Sequence, residues 1–320
     1  KIVLCILKPL PFFSATFVVS SRSMSHSSAY DPNFEWDRIR PLQVVNEVTP
    51  TDYKLPKPAE SVRFVCISDT HTRTKGLETR IPDGDVLLHA GDFTKVGEAP
   101  GVQEFSNFLG GLPHPFKIVI AGNHDLSFEA KTFDQTFPRL AKGNPDDHRH
   151  AKSLLRNCIY LEDSGVEVLG VKIWGSPWTP WFFDWAFNAE RGRECAEKWA
   201  QIPDATQILI THGPPLGHGD LCSNGQRAGC LDLLRTIQER VKPAYHVFGH
   251  IHEGYGVTTD GTTTFVNPSI CDLRYRPLQN PIVFDLVPSP TEPSPLFPIV
   301  AATDSAASAG SSQHPGVAGV

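Results

Sequence analysis

The feature that most constrains this chain is a unit that recurs five times: a short apolar run ending abruptly in a polar cluster. Val62–Ile67 (VRFVCI) runs into SDTH, residues 86–89 (VLLH) into AGD, and 117–121 (KIVIA) into GNHD. Residues 207–210 (QILI) then run into THG, and 245–248 (YHVF) into GHIH. Runs of four to six residues, β-branched and not alternating with polar positions, read as strands buried on both faces. Helix-spaced apolar positions predict helices near 102–109, 145–156, 188–200 and 229–240, the last through Leu231, Leu234, Ile237 and Val241. Residues 159–174 read as a hairpin with turns at Ser164-Gly165 and Gly170, and late strands are expected at 263–266 and Ile282–Leu286. Strands alternating with helices give an α/β layered architecture, whose functional loops leave the carboxyl ends of the strands. Five polar clusters can therefore meet at one place.

Taken singly, these clusters say little. Asp69-x-His71 can be a turn, Gly91-Asp92 is ordinary loop chemistry, and a lone His212 is more often a satisfied core histidine than a ligand. GNHD is moderately specific, and His250-x-His252 suits a metal but is common. Together, Asp69, His71, Asp92, Asn123, His212, His250 and His252 would concentrate oxygen and nitrogen donors at one sheet edge. Such a cluster is poorly compensated without a cation. Two divalent ions give each donor a partner, with Asp92 as the bridging carboxylate. Asp, Asn and His ligands without a thiolate favour Mn²⁺, Fe²⁺, Zn²⁺ or Mg²⁺. The excess positive charge suits an anionic phosphate, and the centre would yield hydroxide from water near neutral pH.

Composition is that of an ordinary globular protein: 320 residues, 40% apolar and 20% charged. A net charge of −6 provides no field to gather nucleic acid. The seven cysteines are scattered and form no C-x-x-C pair, which argues against structural zinc or a disulfide framework and for a reducing, cytoplasmic setting. The first twenty residues are apolar but broken by Lys8, Pro9 and Pro11, too interrupted for a spanning helix. Met24 is the single methionine and the expected native start, with residues 1–23 read as not native. Residues 1–60 are expected to be a mostly irregular extension that Phe34, Trp36, Leu42 and Val44 could pin to a domain at 61–287. The Pro-, Ser-, Ala- and Gly-rich tail, 288–320, is expected to be disordered.

The series D-x-H, GD, GNHD, TH and GH-x-H, in this order, resembles the calcineurin-like metallophosphoesterase superfamily over roughly residues 62–286. THGPPLG, VFGHIHEGYG and IWGSPWTPW look closer still to the metallophosphoesterase-domain-containing (MPPED) proteins, of the class III cyclic nucleotide phosphodiesterase type. The resemblance implies a sandwich of two mixed β-sheets flanked by helices. It implies a first metal on Asp69, His71 and His252, a second on Asn123, His212 and His250, and Asp92 between them. It gives His124 contact with the phosphate and protonation of the leaving oxygen, with Asp125 orienting its imidazole; histidine changes charge near neutral pH, which suits the task. After its GD the protein-phosphatase branch carries an arginine-bearing extension, and purple acid phosphatases a metal-binding Tyr three residues on. Lys95 stands here instead. One branch of the MPPED group has Gly for the first His of GH-x-H; this chain keeps His250, implying a full binuclear centre.

Residues 174–187 (WGSPWTPWFFDWAF) hold four of the six tryptophans. They read as a packed flap or, through Trp178 and Trp181, as rings that stack on a nucleobase. The leading functional expectation is hydrolysis of cyclic nucleotides of the cAMP and cGMP class by metal-bound hydroxide, Mn²⁺ foremost. The partner is then a small phosphodiester, with no nucleic acid and no membrane, and the oligomeric state is left open. The alternatives are a nuclease or phosphomonoesterase of the same superfamily, or a slow nucleotide-binding or scaffold protein with an intact metal site.

Overall fold

The computed structural model describes residues 30–289 and 292–301; the expectations for residues 1–23 and for the tail beyond 301 fall outside them. The chain enters through helix α1 (Pro32–Ile39) and a short strand β1 (Asn46–Glu47). It then forms β2 (Val62–Ile67), β3 (Val86–Ala90), helix α2 (Ala99–Gly111), β4 (Phe116–Ile120), helix α3 (Phe133–Leu140) and β5 (Ile159–Tyr160). The second half comprises β6 (Ser164–Val168), β7 (Val171–Ser176), the minor strands β8 (Thr179–Pro180) and β9 (Asn188–Ala189), α4 (Arg193–Trp199), β10 (Ile208–Thr211) and α5 (Leu231–Arg235). Strands β11 (Tyr245–Val247), β12 (Gly256–Thr259), β13 (Thr264–Asn267) and β14 (Ile282–Leu286) follow.

Two mixed sheets result, as the resemblance implies. One has the order β14-β2-β3-β4-β5 and the other β1-β12-β13-β11-β10-β7-β6. Strands β2 to β5 run parallel, as do β7, β10, β11 and β13, while β14, β6, β12 and β1 pair antiparallel at or toward the edges. Alternation along each strand separates the layers. Phe64, Leu88 and Ile118 pack with Ile173, Ile208 and Val247 in the inter-sheet core. Val65, Leu87 and Val119 instead face Val102, Phe105 and Leu109 of α2, and Leu209 and Phe265 pack with Cys195 and Trp199 of α4 and Leu233 of α5. Helices thus flank the sandwich, and each central strand is buried on both faces.

Several local expectations need correction. Residues 145–156 form two separate 3₁₀ turns rather than a helix, with Ala151 the one buried residue in them, so no apolar stripe holds a longer helix. The expected helix at 188–200 begins only at Arg193, because Asn188–Ala189 pairs with β8. The hairpin has one turn, at Leu169-Gly170, where both residues adopt positive φ. Ser164-Gly165 lies inside β6, and Ile159–Tyr160 joins the other sheet beside β4. Gly165 is small for another reason: a Cβ there would lie 2.6 Å from both Leu296 O and the Phe297 ring.

That contact also corrects the tail. Residues 292–301 are placed, with Phe297 buried against Trp174 and the backbone of Glu167 bonded to Pro298 and Val300. One large aromatic in a slot supplies the burial that the composition of the tail as a whole lacks. In the N-terminal extension, Asp31 caps α1 by accepting from Asn33 N and Phe34 N, and Trp36 is buried. Phe34, Leu42 and Val44 stay exposed. No helix among the described residues is long and apolar enough to cross a membrane.

Candidate metal centre

The carboxyl ends of β2, β3 and β4 in one sheet and of β10 and β11 in the other lie at the same edge of the sandwich. All seven expected donors meet there. Three groups bring ligand atoms within 4.8 Å of one another: Asp69 with His71 and His252, Asp92 with His212 and His250, and His71 with Asp92 and His124. His252 Nε2 lies 3.4 Å from Asp69 Oδ1, and His212 Nε2 lies 3.3 Å from Asp92 Oδ2. His71 Nε2 is 4.0 Å from Asp69 and 3.9 Å from Asp92, so the two clusters share a border. Asn123 Oδ1 lies 2.9 Å from His212 Nε2.

Backbone carbonyls turn these imidazoles. Ala90 O lies 2.8 Å from His212 Nδ1, Thr94 O 3.2 Å from His71 Nδ1, and Asp272 O 3.1 Å from His252 Nδ1. With Nδ1 donating to a carbonyl, Nε2 is the atom left to ligate, the orientation metal-binding histidines require. Asn123 is fully buried, yet its Nδ2 has no partner. Oxygen and imidazole donors, an incompletely satisfied amide and pre-turned rings together fit a pair of divalent cations.

Electrostatics point the same way. Burial drives His71 and His250 down to about 3, keeping them neutral and able to ligate. For His212 and His252 burial opposes the charge but is outweighed, by Asp92 and Asp69 respectively, and both rise to about 9. Asp69 and Asp92 lie below the ordinary carboxylate range; burial opposes this, and His252 and His212 overcome it. The two carboxylates are thus held ionised, as donors to a divalent cation must be.

His124 sits at the mouth. Its Nδ1 is 2.7 Å from Lys95 O, its Nε2 is 3.9 Å from Asp92 Oδ2, and its ring lies 4.1 Å from that of Trp185. Asp125 does not orient it. The buried Asp125 carboxylate accepts from Asp92 N, Gly122 N, Thr94 N and Thr94 Oγ1, at 2.7–2.9 Å. The residue after His124 points back into the protein, where four donors converge, and ties the second loop to the third.

The two tryptophans expected to bind substrate are elsewhere. Trp178 donates to Asp163 and lies under Lys198 Nζ, 3.4 Å from the ring centroid, as a packing residue. Trp181 donates to Asp184 and lines a different depression, beside Arg139 and Gln135. The cavity over the donors, about 260 Å³, is walled instead by Phe182, Leu273, Tyr275 and Ile251. Of the aromatic loop that the sequence singles out, Phe182 lines this cavity and Trp178 and Trp181 do not. Leu273 and Tyr275, after β13, carry no motif by which they could have been found.

Two mixed sheets with Asp, Asn and His donors at converging strand ends define a metal-dependent phosphoric ester hydrolase, and the family model for calcineurin-like phosphoesterase matches residues 62–254. The chain belongs to that family. It is 50% identical over 266 residues to metallophosphoesterase domain-containing protein 1 of Homo sapiens, covering 81% of this chain and 80% of the relative. The Mus musculus protein of the same name matches equally. UPF0046 protein T07D4.2 of Caenorhabditis elegans is 42% identical over 279 residues, covering 82% of this chain and 69% of that one.

Proposed function

We propose that this chain hydrolyses cyclic nucleotides of the cAMP and cGMP class. In this reading Asp69, His71, Asp92 and His252 would hold one divalent cation and Asp92, Asn123, His212 and His250 a second, with Mn²⁺ the foremost choice. Bound there, the cations supply Lewis acidity toward the phosphoryl oxygens and a nucleophile drawn from water near neutral pH. His124, held at Nδ1 by Lys95 O and flanked by Trp185, offers Nε2 to protonate the departing ribose oxygen.

The observation that carries this reading is the cavity wall. Among the described residues it contains donors, apolar side chains, Cys222 and Glu253, but no lysine or arginine. A phosphomonoester dianion or a polynucleotide is ordinarily gripped by cationic side chains. A singly charged diester with an organic arm needs only the metal pair and an apolar wall. A small phosphodiester is thus the partner proposed, in preference to nucleic acid or a membrane. A reducing, cytoplasmic setting agrees with the six described cysteines being free thiols.

The test is product analysis of metal-stripped protein, reloaded with Mn²⁺ or Mg²⁺, on cyclic nucleotides, phosphomonoesters and single-stranded DNA. Turnover of cyclic nucleotides alone, abolished by chelation and restored best by Mn²⁺, is the expected result. DNA cleavage, or full activity in stripped protein, would overturn the proposal.

A further inference from the structure

We infer that Phe182 and Tyr275 form an aromatic clamp that takes the planar arm of the phosphodiester and sets substrate specificity; this rests on the diesterase reading above. Both rings line the cavity over the donors, yet they lean on different halves of it. The Phe182 ring stands edge-on to His250, centroids 5.4 Å apart at 90°. The Tyr275 ring stands edge-on to His71, 4.8 Å apart at 88°, and 5.9 Å from His252. A phosphate spanning the donor floor would leave its ester arm between the two rings.

Neither ring is held by a core. Phe182 is 40% and Tyr275 39% exposed, so both rings are open to a ligand in the cavity they line. Each is nonetheless fixed at its backbone. Phe182 N donates to Asn188 Oδ1, and Phe182 O accepts from Trp185 N. Tyr275 adopts φ +55, a left-handed conformation that a bulky residue takes at a cost, and its N–H donates to Asp272 O. That same carbonyl lies 3.1 Å from His252 Nδ1, so the loop carrying Tyr275 is built onto a donor of the metal centre. Rings carried on a fixed backbone lose less entropy when a planar group slides between them than rings on a mobile loop would. Leu273, beside Tyr275 on the wall, extends the apolar surface.

The experiment compares 3′,5′-cyclic AMP with the analogue that carries hydrogen in place of adenine, so that the reacting centre is constant. Both are assayed in the Mn²⁺-loaded full chain and in Phe182→Ala, Tyr275→Ala and Tyr275→Phe. The parent should prefer the base-bearing substrate in kcat/KM by about 5- to 150-fold, the usual scale of base–aromatic stacking. That preference should fall toward one in either alanine variant and survive in Tyr275→Phe, which keeps the ring. Both alanine variants retaining the parental preference would overturn the clamp. If the parent turns over neither compound, the diesterase reading fails, and equilibrium binding of 5′-AMP against ribose 5-phosphate decides the clamp separately. Base-dependent affinity lost in the alanine variants would sustain it; equal affinities in the parent would overturn it.

Discussion

Replacing Asp125 with Asn separates a structural clamp from a catalytic dyad. The two carboxylate oxygens divide their donors cleanly: Oδ2 takes Asp92 N and Gly122 N, and Oδ1 takes Thr94 N and Thr94 Oγ1. An amide has one acceptor oxygen, so one of these pairs would face an NH₂ group inside a fully buried site. Each buried donor left unsatisfied costs about 1–3 kcal/mol, and the Thr94 hydroxyl can turn to accept from the amide, which leaves Thr94 N stranded, so the variant should lose on the order of 2 kcal/mol. With a urea dependence of about 3 kcal/mol per molar, the unfolding midpoint should fall by about 0.7 M. Urea unfolding of chelated protein is the appropriate assay, since no metal then contributes to stability. If Asp125 instead served His124, the substitution would lower kcat and leave the midpoint in place. A shift under about 0.2 M, less than one lost hydrogen bond at that slope, would refute the clamp.

Three further outcomes are expected. His124→Ala should keep the parent's metal content by elemental analysis but lower kcat by roughly 10²–10⁴, with a smaller loss on a nitrophenyl ester, whose leaving group needs less protonation; equal losses would limit His124 to holding the phosphate. Burial lowers His218 from 6.5 to about 4, so its contribution to stability is complete above pH 6.5 and is lost as the pH falls toward 4, on the order of 3 kcal/mol in all; His218→Gln should flatten the urea midpoint against pH across that window, and parallel curves would exclude it. A Cβ on Gly122 would lie 2.3 Å from Asp92 Oδ1 and 2.5 Å from the His212 ring, whereas one on Gly111 meets nothing within 4 Å. Gly122→Ala should therefore lose Mn²⁺ affinity by calorimetric titration and Gly111→Ala should not; equal affinities would mean that the floor can yield.

What the sequence made legible follows from how each signal is encoded. Strands β2, β3, β4, β10 and β11 are buried on both faces, so their identity is written in consecutive residues, and the clusters that end them fall at fixed offsets. The donors were readable for the same reason. The walls of the cavity were not, because Phe182 and Tyr275 reach it from loops far apart in sequence, and nothing local distinguishes Phe182 from Trp181 beside it. Trp181 turns outward to Asp184 and Phe182 inward to His250 because of the loop's backbone path, including positive φ at Phe183 and Asp184. Asp125 differs in kind: its place beside His124 suggests a pair, while its partners are three backbone N–H groups and the Thr94 hydroxyl, which no residue pattern displays.

The least legible property is the conformation of the donors themselves. Asp69, His71, Asp92 and His250 all adopt left-handed backbone, with φ between 42 and 68°. Such residues cost roughly 1–3 kcal/mol each and persist only where the surroundings over-determine them. Here each left-handed N–H is bonded to a neighbouring part of the centre: Asp69 to Gly91 O, His71 to Asp92 O, Asp92 to Asp125 and His250 to the Asp69 carboxylate. The bonds run from loop to loop rather than along the chain. Strain at one donor is therefore held by the position of the next, and the loops after β2, β3, β4 and β11 form one interdependent unit. A mixed ligand set on two separate sheets can keep a fixed spacing this way, with the geometry carried by backbone bonds that run from loop to loop.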